Sequence, residues 1–256
     1  MIIITGGAGF IGSNLITNLN KNGIKEIVIF DNLNKQKKKN LKNLSFKKIY
    51  NKNETFEFLK SNKKKIDVIF HLGACTNTLE NNWDYLYKNN FEFSKRLAIH
   101  CGLNNIKFIY ASSASVYGRT NDTMNPLNYY AISKLTIDYW VQDHIKEFKH
   151  IQGFRYFNVY GEGEEEKIAR DQSSPISKFI HQAKTEGIIR VFENSKTYFR
   201  DFVCVDDLLK IILDNTRESG IYDLGTSSPI SFLAVANIVA KYYNAHVEYI
   251  PFPKHL

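Results

Sequence analysis

Met1-Ile2-Ile3-Ile4-Thr5-Gly6-Gly7-Ala8-Gly9-Phe10-Ile11-Gly12 opens the chain, and its reading decides the fold. Met1–Thr5 is short, β-branched and bounded by glycine, which reads as a buried strand. The next stretch, from Ile11 to about Asn22, reads as a helix, with Gly23 where a helix stop belongs. Between them the glycines fall in the spacing GxxGxxG. Gly6 permits the tight turn, Gly9 lets backbone approach a pyrophosphate, and Gly12 allows the helix to pack closely on the strand. The helix N-terminus then offers free N–H groups and a positive dipole end to phosphates. A preceding strand and a following helix are the context in which such a turn holds a dinucleotide.

Working outward, Glu26–Asp31 (EIVIFD), Asp67–His71 (DVIFH), Lys107–Ala111 (KFIYA) and Ile151–Phe157 (IQGFRYF) read as further strands. Trp83–Cys101 and Tyr130–Phe148 carry helical spacing. Strands alternating with helices predict an α/β, doubly wound parallel sheet covered on both faces. After Asn158 the rhythm breaks. Glu162–Glu166 is an acid run in a loop of about fifteen residues, and long loops in compact domains are usually functional or disordered. Ser177–Glu186 reads as a helix, and Ile189–Phe192 and Phe202–Val205 as short strands. The expected division is a dinucleotide-binding domain over residues 1–158. Residues 159–256 then form a smaller, irregular substrate lobe, with segments returning to the first domain.

Composition is that of an ordinary globular protein: 43% apolar and 23% charged over 256 residues. A chain of this size buries roughly 70–75% of its unfolded surface and needs no disulfide staples. Cys75, Cys101 and Cys204 are odd in number and widely spaced, without a CxxC or Cys/His cluster, so neither a disulfide framework nor a zinc site is expected. No apolar run approaches the ~18 residues of a membrane span. The N-terminus lacks a basic n-region and a cleavage site, so no signal peptide is expected. Together these predict a reduced, cytoplasmic protein. The net charge of +8 is concentrated: Lys35–Lys65 holds 12 lysines and only Glu54 and Glu57 as acids. No nucleic-acid motif accompanies them, so they read as a solvated face with one or two lysines near a phosphate.

Asp31 ends the second strand, 19 residues after Gly12, which suits an acid on an adenosine ribose 2′-hydroxyl and hence NAD. Lys37 or Lys38 could instead neutralise a 2′-phosphate and admit NADP, and the residues alone leave both open. Tyr130-Ala131-Ile132-Ser133-Lys134 places a phenol and an ammonium at i and i+4, on one helix face. Tyr129 lies off that face. A cation beside the phenol is expected to lower its pKa and make Tyr130 an acid/base near neutral pH. Ser112, Ser113 and Ser115 cluster where the strand through Lys107–Ala111 ends. A hydroxyl there can hydrogen-bond the reacting oxygen. Cys75 reads as a small apolar liner rather than a nucleophile.

This combination resembles the extended short-chain dehydrogenase/reductases, the NAD-dependent epimerase/dehydratase family, over nearly the whole chain. The stretches that carry the resemblance are His71–Thr78 (HLGACTNT), Tyr110–Gly118 (YASSASVYG), Asn125–Lys134 (NPLNYYAISK), Phe154–Gly161 (FRYFNVYG), Arg200–Val203 (RDFV), Ile221–Thr226 (IYDLGT) and Glu248–Pro253 (EYIPFP). The resemblance implies a Rossmann fold, a nicotinamide cofactor (NADP, with NAD as the alternative) and a homo-oligomer, of which a pentamer is one form. It implies epimerisation at C6″ of an ADP-heptose through a transient 6″-ketone, in lipopolysaccharide core biosynthesis. A nucleotide-sugar 4-epimerase, a 4,6-dehydratase and a non-catalytic dinucleotide-binding module are the alternatives. A dehydratase would place an Asp-Glu pair after the strand-end hydroxyl, where this chain has Ala114 and Ser115.

The resemblance also assigns roles. Gly6, Gly9, Phe10, Ile11 and Gly12 would line the cofactor, with Asp31 and Asn32 at its adenosine ribose. Lys37 and Lys52, each aligned with a one-residue gap, match basic contacts to NADP. Gly73, Ala74, Cys75, Thr76 and Asn77 would lie on the nicotinamide side, with Asn90 behind them. Tyr130 is the acid/base, Ser113 its hydroxyl partner on the substrate, and Lys134 the ribose-binding lysine. Asn158 and Val159 fall where substrate and cofactor meet. Lys167 stands in the place of a second base that also borders the cofactor. Ser174, His181, Phe192, Glu193, Asn194, Ser195 and Arg200 match substrate positions, with Arg200 suited to the diphosphate. The loop at Glu162–Ile168 departs from the family pattern and adds about five residues. The family also continues beyond the EYIPFP segment, so the lobe is expected to be shortened here.

Overall fold

The computed structural model describes residues 1–119, 123–168, 172–214 and 216–252, and not the side chains of residues 36, 165 and 166. Pro253 of the EYIPFP segment and the end at Leu256 lie outside the described residues. In chain order the first elements are β1 (Ile2–Thr5), α1 (Phe10–Lys21), β2 (Ile27–Phe30), α2 (Lys35–Asn40), β3 (Lys48–Tyr50), α3 (Thr55–Asn62) and β4 (Val68–His71). There follow α4 (Trp83–Leu86), a π-helical turn (Tyr87–Glu92), α5 (Phe93–Leu103), β5 (Lys107–Ser113), α6 (Tyr129–His144) and β6 (Ile151–Tyr156). The remainder comprises β7 (Asn158–Tyr160), α7 (Glu165–Ile168), α8 (Pro175–Glu186), β8 (Ile188–Phe192), β9 (Phe199–Arg200) and β10 (Phe202–Cys204). It ends with α9 (Val205–Leu213), β11 (Gly220–Leu224), β12 (Ile230–Ser231), α10 (Phe232–Tyr243) and β13 (His246–Ile250).

The chain divides into two compact units: Met1–Tyr156 with Leu209–Leu224, and Phe157–Leu208 with Gly225–Leu256. Unit one is a seven-stranded sheet in the order β11-β6-β5-β4-β1-β2-β3, parallel throughout. Its strands read as apolar runs because both faces are buried: Ile3, Val28, Phe30, Ile69, Phe108, Tyr110 and Ile151 pack on one face with Leu59, Phe91, Leu97 and Val141 of the helices, and Ile4, Ile27, Ile29 and Ile109 are buried on the other. The order reverses between β4 and β1, the switch point at which open α/β sheets bind ligands beyond the strands' carboxyl ends. Unit two packs α8 and α10 on the parallel pair β8–β13 through Phe179, Ala183, Ile189, Val191, Val235 and Val239. Among the described residues no helix is long and apolar enough to cross a membrane.

The basic stretch holds elements that its lysines conceal. Helices α2 and α3 and strand β3 form there, and Leu59 is fully buried while Phe56 and Phe58 pack on the core. The expected loop after Asn158 instead contains β7 and α7. Glu164 in the acid run is buried rather than solvated. Its carboxylate accepts from the amide and hydroxyl of Ser174 at 3.1 and 2.7 Å.

One hydrogen-bond chain ties β1, β4 and α5 together. The Gly73 amide donates to Thr5 Oγ1 at 3.3 Å, Thr5 Oγ1 contacts His71 Nδ1 at 2.6 Å, and His71 Nε2 contacts Ser94 Oγ at 2.7 Å. The Ser94 hydroxyl donates its proton to the carbonyl of Asn90. It must therefore accept from Nε2–H, which leaves Nδ1 to accept from Thr5. A neutral imidazole satisfies every partner. Burial, with Lys134 and Lys52 nearby, holds His71 well below its ordinary value of 6.5. The unfolded chain protonates this histidine below about pH 6.5 and the folded chain resists, so stability is full above that pH and lost as pH falls. In denaturant titrations His71→Gln should show a shallower acid loss than the parent, by up to ~1.4 kcal/mol per pH unit below about pH 6.5. Parallel pH dependences would show that His71 does not resist the proton.

Candidate active site

The glycine turn sits at the switch point. Gly6 has φ +70°, and a Cβ there would lie 2.6 Å from the Gly73 Cα, so the loops after β1 and β4 touch backbone to backbone. A Cβ on Gly12 would lie 2.3 Å from the Gly6 carbonyl oxygen, which fixes that position as glycine. The α1 N-terminus has no side-chain cap hydrogen bond and no acid in its first turn, so the positive end of its dipole favours a phosphate there. This cradle fits a dinucleotide pyrophosphate.

Asp31, at the end of β2, is buried and bound on both oxygens. Oδ2 accepts from the Ala8 amide at 3.0 Å and Oδ1 from Lys37 Nζ at 2.5 Å. Asn32, the next residue, and Lys38 are exposed. Lys52 bonds Asn89 Oδ1 and lies 4.3 Å over the Phe93 ring, and burial lowers its pKa.

Four segments that sequence separates come together at the carboxyl ends of the unit-one strands. Tyr130 and Lys134 lie buried on α6, with the Tyr130 phenol beside Ser113, the last residue of β5. Lys134 Nζ donates to the Ala111 carbonyl at 2.7 Å. Ser113 Oγ accepts from the hydroxyl and amide of Ser115 at 2.9 and 3.2 Å. Cys75, in the segment Gly73–Asn77, is half-buried and hydrogen-bonds Tyr85. Asn90 clamps that segment: Oδ1 accepts from the Cys75 amide at 2.8 Å and Nδ2 donates to the Cys75 carbonyl at 3.0 Å. Nδ2 also reaches Ser133 Oγ at 3.1 Å, and that hydroxyl donates to the Tyr130 carbonyl at 2.7 Å. Asn90 stands in the π-helical turn, a widening found mostly at functional sites.

One expectation is corrected. The Tyr130 phenol is not lowered by the ammonium beside it. Burial is the largest influence and raises its pKa, and the Ser113 side chain beside it opposes that rise. Lys134 is itself pulled down to about 8 by burial, against the pull of Asp138. Asp138 lies one turn beyond Lys134 on α6, and nothing in its local sequence marks it out. Its carboxylate is completely buried and accepts from Tyr110, Ser112 and Arg155. Removing one partner of such an ion pair costs about 3–5 kcal/mol.

The remaining candidates belong to unit two. Asn158 donates from its amide and Nδ2 to the Asp201 carbonyl at 3.0 and 3.1 Å, and Val159 pairs with Val203. The Asp201 carboxylate accepts from Thr226 and Ser227, a role that only its RDFV context hinted at. The Lys167 amide donates to the Glu164 carbonyl at 2.8 Å, so Lys167 and Ser174 both depend on Glu164. The Ser174 hydroxyl caps α8 as well. His181 is exposed on α8. Phe192–Ser195 turn at the end of β8, with Glu193 and Asn194 exposed and Ser195 Oγ buried without a hydrogen-bond partner. Arg200 is exposed on β9, where it donates to the Phe199 carbonyl and lies 5.8 Å from the Phe232 ring.

Residues 2–225 match the NAD dependent epimerase/dehydratase family. The chain is 40% identical to an ADP-L-glycero-D-manno-heptose-6-epimerase of Brachyspira hyodysenteriae, aligned over 99% of this chain and 85% of that protein. It is 39% identical to the protein of the same name from Alkalilimnicola ehrlichii, over 100% and 85%. The solved Helicobacter pylori ADP-L-glycero-D-manno-heptose-6-epimerase superimposes with a TM-score of 0.86 at 30% identity, over 98% of this chain and 84% of that one. The doubly wound sheet, the dinucleotide cradle and these likenesses agree: the chain belongs to the NAD-dependent epimerase/dehydratase family.

Proposed function

We propose that this chain is an ADP-L-glycero-D-manno-heptose 6-epimerase, inverting C6″ of its substrate through a transient 6″-ketone in lipopolysaccharide core biosynthesis. The observation that carries this reading is the buried Tyr130 phenol beside Ser113 with Lys134 one turn away, in a chain alike over nearly its whole length to relatives of that name. The likeness to these relatives, and not the site itself, carries the reading of a cytoplasmic homo-oligomer acting on a nucleotide sugar.

The residues of the cradle and of the Gly73–Asn77 segment are the ones that would hold the dinucleotide. A bound nicotinamide supplies a reversible hydride acceptor at the sugar carbinol. Ser113 holds the reacting oxygen. Burial keeps the Tyr130 phenol protonated, which suits it to protonate the oxygen of a ketone. The Ser113 side chain stabilises the phenolate and so supports the reverse transfer. The two epimers present their hydroxyls to opposite sides, so a second base is required, and Lys167 is the candidate. Arg200 would read the diphosphate with its planar fork. No carboxylate follows Ser113, which disfavours elimination of water.

NADP is the favoured dinucleotide. An unpaired acid at the end of β2 would repel a 2′-phosphate. Here Asp31 is neutralised by Lys37, and Lys38, the next residue in the chain, is exposed.

Tyr130→Phe and Lys167→Met, made singly, should each lower kcat by roughly 10²–10⁴ while dinucleotide binding persists. Full epimerase activity in both would refute the two-base scheme. Mass spectrometry of the nucleotide released from the native protein should give NADP, and recovery of NAD alone would contradict the reading of Lys37.

A further inference from the structure

Asp138 takes no part in the proton transfers above, yet among the described residues of unit one its carboxylate accepts three side-chain hydrogen bonds. Oδ1 accepts from the Tyr110 hydroxyl at 3.0 Å, and Oδ2 accepts from Ser112 Oγ and Arg155 Nε, both at 2.9 Å. Arg155 donates from Nη1 to the Tyr117 hydroxyl at 2.9 Å, and Tyr117 donates to Asp223 at 2.7 Å. Gly153, in the middle of β6, makes room for Tyr110, because a Cβ there would lie 2.3 Å from the tyrosine oxygen.

Tyr130, Lys134 and Asp138 succeed one another at i, i+4 and i+8 along one face of α6. They meet Ser113, the Ala111 carbonyl and Ser112, three successive residues at the end of β5. We propose that Asp138, clamped by Arg155, is a positioning residue for Lys134 and Tyr130: its bonds to β5 keep α6 in register with Ser113, and its buried negative charge, one turn away and not in contact, favours the ammonium form of Lys134. This deepens the functional reading above and rests on it.

The surroundings of Lys134 support this assignment. Its hydrogen-bond acceptor at Ala111 is neutral and cannot balance a buried charge. The titratable groups around Lys134 are Tyr130 and Asp138 on α6, Cys75 after β4 and the neutral His71 on β4. Asp138 is the one carboxylate among them. Facing Asp138 are Arg155 from β6, Tyr110 from β5, Tyr117, and Asp223 of β11, which lies 3.8 Å from Arg155. Buried ion pairs are seldom better than apolar packing for stability alone. A carboxylate placed here does something that a leucine could not.

The test is a ¹³Cε-lysine NMR titration of the whole chain, with the Lys134 resonance assigned by its loss in Lys134→Met. The parent midpoint should lie near 8. Asp138→Asn should lower it by about one pH unit or more, Asp138→Glu should restore part of the shift, and the alkaline limb of kcat should move with it. An unchanged midpoint in folded Asp138→Asn would overturn the proposal. Should Asp138→Asn not fold, the double variant with Arg155→Gln leaves neither charge alone, and its Lys134 midpoint should fall in the same direction but by less, because the repulsion from Arg155 goes too. Failure of both to fold would make Asp138 a structural residue only and would also overturn it. If the parent does not epimerise ADP-heptose, the functional reading falls, and the lysine titration still decides the role of Asp138.

Discussion

The registry between α6 and the end of β5 is the constraint on which the rest depends. Three side chains one turn apart on the helix reach three successive strand residues: Tyr130 to Ser113, Lys134 to the Ala111 carbonyl, and Asp138 to Ser112. A slip of the helix by one residue would break all three at once and carry the phenol off the strand tip. Each contact alone is modest, but all lie where water is excluded, where an unpartnered polar group is costly. Cooperation among them makes the phenol's position a property of the fold rather than of a flexible side chain.

Around that seam the sheet supplies a stage. The Gly6 turn after β1, Asp31 after β2, the Gly73 segment after β4 and Ser113 at the tip of β5 share one edge because the strands are parallel. Asn90 then couples the stage to the seam, since one side chain grips both backbone groups of Cys75 and touches Ser133 of α6. The Thr5–His71–Ser94 chain underpins the same corner from below. The protein's contribution to catalysis, on this account, is placement and proton management around a hydride acceptor.

Much of this was readable in the residues. Met1–Thr5, the GxxGxxG turn and the Tyr130/Lys134 spacing are local patterns with local causes, and the structure realises them with shifts of a residue or two at element ends. What escaped depends on tertiary context. Helix α3 hides in a lysine-rich stretch because only Leu59 and two flanking phenylalanines supply its apolar face. The π-helical turn has no periodic signature, so Asn90 was reachable by resemblance and not by spacing. Asp138 was in plain view at Lys134 plus four, but its partner Arg155 comes from another strand. Gly153, a glycine inside an apolar strand, was the available clue to close packing there. The phenol's pKa was misjudged because charge proximity was counted and burial was not. Glu164 went unrecognised for a similar reason: an acid run reads as solvated until Ser174 is seen to bind it.

The central claim is that the hydrogen at C6″ leaves and returns as a hydride within one closed site, while the proton on oxygen is handled by this chain's own side chains. Its most direct test is conversion of ADP-heptose deuterated at C6″ in ordinary water, with the epimerised product examined by mass spectrometry. Full retention of deuterium at C6″ is the predicted result. Washout of the label into solvent would mean that the carbon is deprotonated and reprotonated, and would contradict the account.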